Sequence, residues 1–508
     1  MKQNTSIAKN VLMLYIRIAV NMLLGLYSSR VILNALGVSD YGVFNIVCGV
    51  IVLFSFFNDS MSAATQRFIN YAIGQNRDKE INSIFSASII LHFTISIILI
   101  IASETIGLYI VNNTLTLPSE RINAANIIYQ IAIINTVIGI IRVPLNALII
   151  AFEKMTFYAY ISIFETTFKL LNIIALLYIN TDKLILYSLM LLFANLITTI
   201  IYILYIKQTL PKIQFKKSVN KTFFINLTSF SGWTIMGSIA NVGAAQGVNL
   251  IINHFFGVII NAAIGVANNV NGIVYQFVSN LQVAFTPQTI QSYSQGNYIK
   301  LKELIYNNSK YSFFLLFLMG LPIIMNIDFI LKIWLGDTIP PYSSTFISLI
   351  IISSFFDAIC GSLWSTIQAT GKIRKYQIII SSIIFSTVPI SYICLYFGYH
   401  ATTVYIINIL MKIGITYYRC YYLTHLKLIS WIQILKNIFY PIIKVSFFSS
   451  LLCYIETQSL YSENIISQIA LIILNVITII LLILLLGMVQ KERNIIKQKI
   501  QIFLHKIK

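Results

Sequence analysis

The sequence predicts an all-α polytopic membrane protein of about 14 transmembrane helices. Three observations carry that prediction. Only 10% of the 508 residues are charged while 57% are hydrophobic, whereas soluble globular chains carry about 25% charged residues. So few polar side chains cannot cover a water-facing surface of this size, which makes lipid the solvent for most of the chain. The apolar runs are about 20 residues or longer and do not alternate, which selects helices over a closed barrel. The loops between the runs alternate sharply in positive charge, as the two sides of a membrane require.

The expected spans are 10–36, 41–68, 82–111, 122–151, 157–179, 184–206, 223–256, 259–287, 304–335, 343–370, 376–397, 401–424, 438–456 and 465–489. One set of loops carries Lys2 and Lys9, then Arg77 and Lys79, Lys154, and the run from Lys207 to Lys221. It continues with Lys300 and Lys302, then Lys372, Arg374 and Lys375, then Lys427 and Lys436, and ends on the tail from Lys491 to Lys508. The intervening loops, such as FFGVII (255–260) and ETQSLYSEN (456–464), are almost free of cations, with Arg121 and Lys183 as exceptions. By the positive-inside rule the first set is cytoplasmic, so both termini are cytoplasmic. The N-terminal apolar run reaches Leu36, too long for a signal-peptide core, and reads as an uncleaved first span. The tail KERNIIKQKIQIFLHKIK is basic and amphipathic and is expected to lie along the membrane surface.

Organisation follows from the loops. None exceeds about 20 residues, which leaves no extramembrane catalytic domain. The longest cytoplasmic loop (207–221) is the natural joint between an N-terminal lobe (1–222) and a C-terminal lobe (223–437). Two further spans and the basic tail (438–508) follow. The lobes are weakly repeated: Gly37 matches Gly257, and Tyr71 and Gly74 match Tyr293 and Gly296. Paired lobes around a midplane site are the usual plan of alternating-access transporters.

Several chemistries are disfavoured. The net charge of +19 resides mostly in short loops, where it serves topology and contact with anionic membrane lipids, and no cluster supports nucleic-acid recognition. Cys48, Cys360, Cys394, Cys420 and Cys453 are scattered in apolar segments without paired spacing. The five histidines are equally dispersed, so metal chemistry is not expected.

Polar residues inside the spans point to function, because an ionisable group there is costly unless it faces the bundle interior or a watery cavity. They recur at helical spacing. Asn45, Asp59 and Gln66 share a stripe in the second span, Asn135, Arg142 and Asn146 in the fourth, and Ser162, Glu165, Lys169 and Asn172 in the fifth. The eighth span aligns Asn268, Asn271, Tyr275 and Gln282, the tenth Asp357, Gly361 and Gln368, and the twelfth Asn408, Lys412 and Arg419. Asn241, Asn249 and Asn253 lie on a broader face of the seventh. Stripes in both halves argue for a shared hydrated cavity, against the alternative that Asn, Gln, Ser and Thr simply bond helix to helix. Arg17 and Asn21 share a face of the first span, which Arg30 joins only if the helix bends, and Glu165 and Lys169 are spaced to pair. Arg67, Arg419 and Lys444 near span ends are expected to snorkel to headgroups. The interior still holds more cations than anions, which favours an anionic substrate. Asp59, Glu165 and Asp357 are the carboxyls that could couple transport to protons or sodium; no other cofactor is expected.

LNALGVSDYGVFNIV followed by TQRFINYAIGQN resembles the first span pair of bacterial polysaccharide-repeat-unit (O-antigen) flippases. NHFFGVIINAAIGVANNV, AFTPQTIQSYSQGN and IQATGKIRKY resemble their second-lobe counterparts. That family belongs to the multidrug/oligosaccharidyl-lipid/polysaccharide superfamily, with the MATE efflux proteins and the lipid II flippase. The resemblance covers most of residues 10–425. It implies a two-lobed transporter of the bacterial inner membrane that moves undecaprenyl-diphosphate-linked oligosaccharide (an O-antigen or capsule repeat unit) to the periplasmic leaflet by alternating access. It also implies work alongside other polysaccharide-assembly membrane proteins. Relatives have a cationic lumen, for which Arg17, Arg142, Lys169 and Lys412 are the candidates here, with Arg30 in addition. Arg17 is followed by Ile18, a departure from the Arg/Asp constellation of lipid II flippases. The two spans beyond a MATE-like twelve could form a groove for the lipid tail.

Two competing readings make different demands. A MATE-type drug/cation antiporter calls for net acidic cavity residues, the reverse of what is present. A membrane polysaccharide polymerase or ligase calls for a large periplasmic loop carrying Arg and His, and no loop here qualifies.

Overall fold

The computed structural model describes residues 13–24, 27–28, 31–32, 35–36, 40, 43–44, 47–48, 56–113, 119–179, 181–215, 221–335, 339–460, 464–488, 490 and 492–494. Every regular element among them is helical. The helices are α1 (Met13–Leu24), α2 (Phe56–Gly74), α3 (Asp78–Ala102), α4 (Ile122–Ala151), α5 (Met155–Leu176), α6 (Lys183–Thr209) and α7 (Lys221–Ser294). They continue with α8 (Tyr298–Met325), α9 (Ile327–Leu335), α10 (Ser343–Thr370), α11 (Arg374–Tyr396), α12 (Thr403–His425), α13 (Trp431–Ser459) and α14 (Ile465–Gly487). Ten stretches among the described residues are long and apolar enough to cross a membrane. The basic tail beyond residue 494 lies outside the described residues.

The chain forms two compact units. The first comprises 1–239, 286–296 and 368–378; the second comprises 240–285, 297–367 and 379–508. In the first unit one apolar cluster joins Ile69, Phe85, Ile149 and Tyr202. A second joins Val47, Leu99, Tyr129 and Leu184. α3 continues to Asn113 through a π-helical turn (Ser103–Gly107), whose Ser103 carbonyl accepts a 2.8 Å bond from the buried Tyr129 hydroxyl. In the second unit Ile252, Ile264, Phe346, Ile351 and Val404 form the main core.

Loop contacts in the first unit alternate as an up-and-down bundle requires. Arg121, before α4, reaches Asp182, the N-cap of α6, at 2.9 Å and Asp40 at 2.6 Å. At the opposite helix ends, Asn82 Nδ2 donates to the Lys212 carbonyl at 3.0 Å, and the Gln214 N–H donates back to Asn82 Oδ1 at 3.1 Å. Arg121 is therefore a cation matched by two carboxylates, which explains how it stands in an otherwise cation-poor set of loops.

Three expectations are corrected. The segment 255–260 is not an irregular loop: the backbone of α7 stays helical from 221 to 294. A straight helix would hold Phe230 and Ser294 roughly 96 Å apart. Phe230 nevertheless lies 5.1 Å from the Arg67 guanidinium, and the Ser294 carbonyl accepts from Gln75 at 3.2 Å, with Arg67 and Gln75 two turns apart on α2 and the residues after it. α7 thus folds back on itself, and its two arms supply the seventh and eighth spans. The ninth span, expected as 304–335, breaks at Asn326, whose side-chain amide donates to the Pro322 carbonyl at 3.0 Å. Arg67 does not snorkel. Its guanidinium donates to the Gln368 carbonyl at 2.9 Å and the Ala369 carbonyl at 3.4 Å and lies against Phe68 and Phe230. The last carbonyls of α10 have no partner within their own helix, so a buried guanidinium finds better ligands there than at a headgroup.

The internal repeat is legible in helix register. The helical runs end at Gly74 and Ser294 and restart at Asp78 and Tyr298, a constant offset. The left-handed turn residues are Asn76 (φ 56°) and Gly296 (φ 71°). Asn76, not Gly74, is therefore the counterpart of Gly296, so the Tyr71/Tyr293 and Gly74/Gly296 pairing is out of register by two residues. The starts of α4, α5 and α6 likewise correspond to those of α10, α11 and α12 within one residue of the same offset.

Candidate substrate-binding site

Each unit carries charged side chains between its helices, and the arrangements differ. In the first unit, helical spacing puts Arg142 on the face of α4 toward α5, while Glu165 and Lys169 lie one turn apart on α5. Glu165 bridges both cations: Lys169 Nζ is 2.6 Å from Oε1 and Arg142 Nη1 is 3.3 Å from Oε2. The Arg142 guanidinium lies 6.0 Å from the Tyr202 ring centroid, and the Tyr202 hydroxyl donates to Asn146 Oδ1 at 3.4 Å. Arg17 on α1 stacks over Tyr158 at 4.6 Å, and Asn21, one turn on, donates to Ser162 Oγ at 2.8 Å. Among the described residues Arg142 and Lys169 thus share the one carboxylate of Glu165, with Arg142 and Glu165 about one-fifth exposed and Lys169 more so. One carboxylate cannot neutralise two cations, and the remaining field attracts anions.

In the second unit Asp357 on α10 and Lys412 on α12 form a two-pronged ion pair, with Nζ 2.8 Å from Oδ1 and 2.9 Å from Oδ2. The pair opens on a cavity of about 240 Å³ between α7, α10, α11 and α12. Asn241, Asn249, Asn268, Asn271 and Asn408 line it together with Tyr405. Two buried serines on α10 hold two of these amides: Ser353 donates to Asn408 Oδ1 at 2.9 Å and Ser354 to Asn271 Oδ1 at 2.8 Å. Ser353 and Ser354 precede Asp357 by one turn, so a single face of α10 supplies both props and the carboxylate.

The structure thus joins Arg142, Glu165 and Lys169 in one cluster and Asn241, Asn268, Asp357 and Lys412 around one cavity. Gln282 belongs to neither. Its amide donates to the Ala358 carbonyl at 3.1 Å and lies over Gly361, where a Cβ would sit 2.1 Å from it. It is a packing residue, and its place in the eighth-span stripe reflects helix contact. Arg30 and Asn45 lie outside the described residues, as does the side chain of Asp59. Arg419 does not snorkel either; Nη1 donates to the Cys360 carbonyl at 3.4 Å. Sequence reasoning passed over Lys310, only 3% exposed, which meets both Glu492 oxygens at 2.8 Å. Its signal is a cation inside the ninth span, in the row Asn308, Ser309, Lys310. Among the described residues no group of His, Cys, Asp and Glu is placed to hold a metal ion.

Residues 234–393 match the MatE family model. The fold is that of the MATE transporters. An outward-facing multidrug resistance MATE transporter of the MOP superfamily superposes with TM-score 0.70 at 12% identity, over 83% of this chain and 95% of its own. A MATE protein in the straight conformation gives TM-score 0.70 at 13% identity, over 83% and 96%. A MOP superfamily transporter from Pyrococcus furiosus, described as having a binding pocket of reverse polarity that suggests a different function, gives 0.67 at 12%, over 82% and 96%. No curated protein sequence matches. The multi-helix fold is therefore shared with known transporters.

Proposed function

We propose that this protein is a flippase that carries undecaprenyl-diphosphate-linked oligosaccharide from the cytoplasmic to the periplasmic leaflet by alternating access. The observation that carries the reading is the surplus of cations in the first unit, where Arg142 and Lys169 share the carboxylate of Glu165. A diphosphate is the anionic group that a membrane-soluble glycan presents, and guanidinium groups match its oxygens in fork geometry. The shared fold supplies the alternating-access plan, and the Pyrococcus furiosus relative, with its reported pocket of reverse polarity, is a precedent for altered polarity on this fold. Asp357 is engaged by Lys412 on both oxygens, which disfavours it as the site of a lipophilic cation.

A second reading, a MATE-type antiporter of drugs or cations, is favoured by the family-model match over 234–393 and by the multidrug transporters of the same fold. Deletion of the gene in its native host separates the two. Lost surface glycan with undecaprenyl-linked repeat units accumulating at the cytoplasmic face is the outcome expected of the flippase. Unchanged glycans with new sensitivity to cationic drugs would establish the antiporter. In the complemented strain, Arg142→Ala is expected to abolish glycan display at unchanged protein level. Normal display would remove the cationic cluster from the mechanism.

A further inference from the structure

The repeat exposes a difference in chemistry. α4, α5 and α6 of the first unit correspond to α10, α11 and α12 of the second, but the charged residues do not correspond. The first unit joins its charges between α4 and α5, where two cations, Arg142 and Lys169, meet one carboxylate, Glu165. The second joins Asp357 to Lys412 between α10 and α12, the counterparts of α4 and α6, and that pair is neutral.

The neutral cavity is built for a particular kind of guest. An anion finds Lys412 already matched by a carboxylate, and a cation finds both oxygens of Asp357 already accepting. A hydroxyl needs one acceptor and one donor side by side. Asp357 provides accepting oxygens with further lone pairs, since a carboxylate has about four acceptor sites. Asn271 and Asn408 provide donors, because Ser354 and Ser353 occupy their carbonyl oxygens and thereby turn the amide N–H groups to the remaining directions. Tyr405, Val248, Ile350 and Ile415 give apolar wall on the same cavity, suited to the C–H faces of a ring. With about 240 Å³ open to water, the cavity has room for a sugar ring.

We infer that the Asn271–Asn408–Asp357 cavity is a subsite for a single neutral pyranose of the glycan, bound through its hydroxyls, and that it takes no part in holding the diphosphate. The inference rests on the flippase reading for its biological substrate, but binding itself can be read without transport. The full-length protein is purified in a detergent without a sugar headgroup. Saturation-transfer NMR then measures contact with methyl glucoside, N-acetylglucosamine, glucuronate and pyrophosphate. Neutral sugars are expected to bind the wild type. Asn271→Ala/Asn408→Ala is expected to weaken them at least tenfold and to leave pyrophosphate binding unchanged. If the double variant does not fold, Ser354→Ala, which keeps Asn271 but releases its orientation, should weaken the neutral sugars several-fold. No neutral-sugar contact in the wild type, unchanged contact in the variants, or loss of pyrophosphate in place of sugar would each overturn the subsite. A wild type that binds neutral sugars, in a host whose glycans survive deletion of the gene, would keep the subsite and remove the flippase reading; the opposite pair of results would remove the subsite alone.

Discussion

Glu165 sits between two cations that would otherwise repel each other, so its removal acts in opposite directions on stability and on anion binding. Glu165→Gln leaves Arg142 and Lys169 without their shared counter-ion in a low-dielectric setting, where like charges cost more than in water. The variant is expected to melt at a lower temperature than the wild type and to bind pyrophosphate more tightly. Arg142→Met/Glu165→Gln should recover part of the stability, since the like-charge pair is gone. Thermal unfolding and pyrophosphate titration of the three proteins check this; weaker pyrophosphate binding by Glu165→Gln would mean that the carboxylate orients the cations for the anion and does not mask them. Arg67 follows different physics. Its worth lies in a planar fork that reaches two carbonyls while stacking on Phe68 and Phe230, which an ammonium cannot reproduce.

The Lys310–Glu492 pair belongs to the scale of elements, because it ties α8 to the residues that follow α14. Lys310 is nearly fully buried, so Glu492→Gln strands a cation among apolar helices, a change that typically costs about 3–5 kcal/mol. Lys310→Met/Glu492→Gln removes the stranded charge and is expected to be the more stable of the two variants. Differential scanning of purified protein decides it; equal melting would mean that water reaches Lys310. The pair also shows where sequence reading stops. Helix existence was legible because apolar run length is a local property, and the stripes that found Arg142, Glu165, Lys169, Asp357 and Lys412 follow from helical period alone. The partner of a buried charge is set by which helices pack together, 182 residues apart in sequence for Lys310 and Glu492, and no period reports that. The same limit misread Gln282, which shares a stripe with cavity residues yet serves a helix contact, and Arg67, whose ligands lie 301 residues away. The continuous helix across 255–260 was missed for another reason: charge alternation marks where a chain must change sides and is silent on the backbone that makes the turn.

For the whole molecule, the alternation of loops is a physical claim about two surfaces. Arg121 gathers Asp40 and Asp182 at one end of the first unit, while Asn82 joins the segment 212–214 at the other. Within the first unit the geometry separates two sets of loops, and by the positive-inside rule the Lys-rich set is expected in the cytoplasm. The charges differ in kind as well: Arg121, one of the two cations of the poor set, is held by two carboxylates, whereas Lys207 and Lys212 of the rich set stand among the exposed residues. Single cysteines introduced as Thr181→Cys and Gln214→Cys should therefore label from opposite sides. With a membrane-impermeant maleimide on intact cells stripped of their outer membrane, Thr181→Cys is expected to react at once and Gln214→Cys only after the inner membrane is permeabilised. The native cysteines described as buried, Cys360, Cys420 and Cys453, should contribute little background. Reaction of both positions from one side would break the up-and-down arrangement of the first unit. The reverse pattern would keep that arrangement and invert the chain in the membrane, which would place the Lys-rich loops outside and require the direction of transport to be argued afresh.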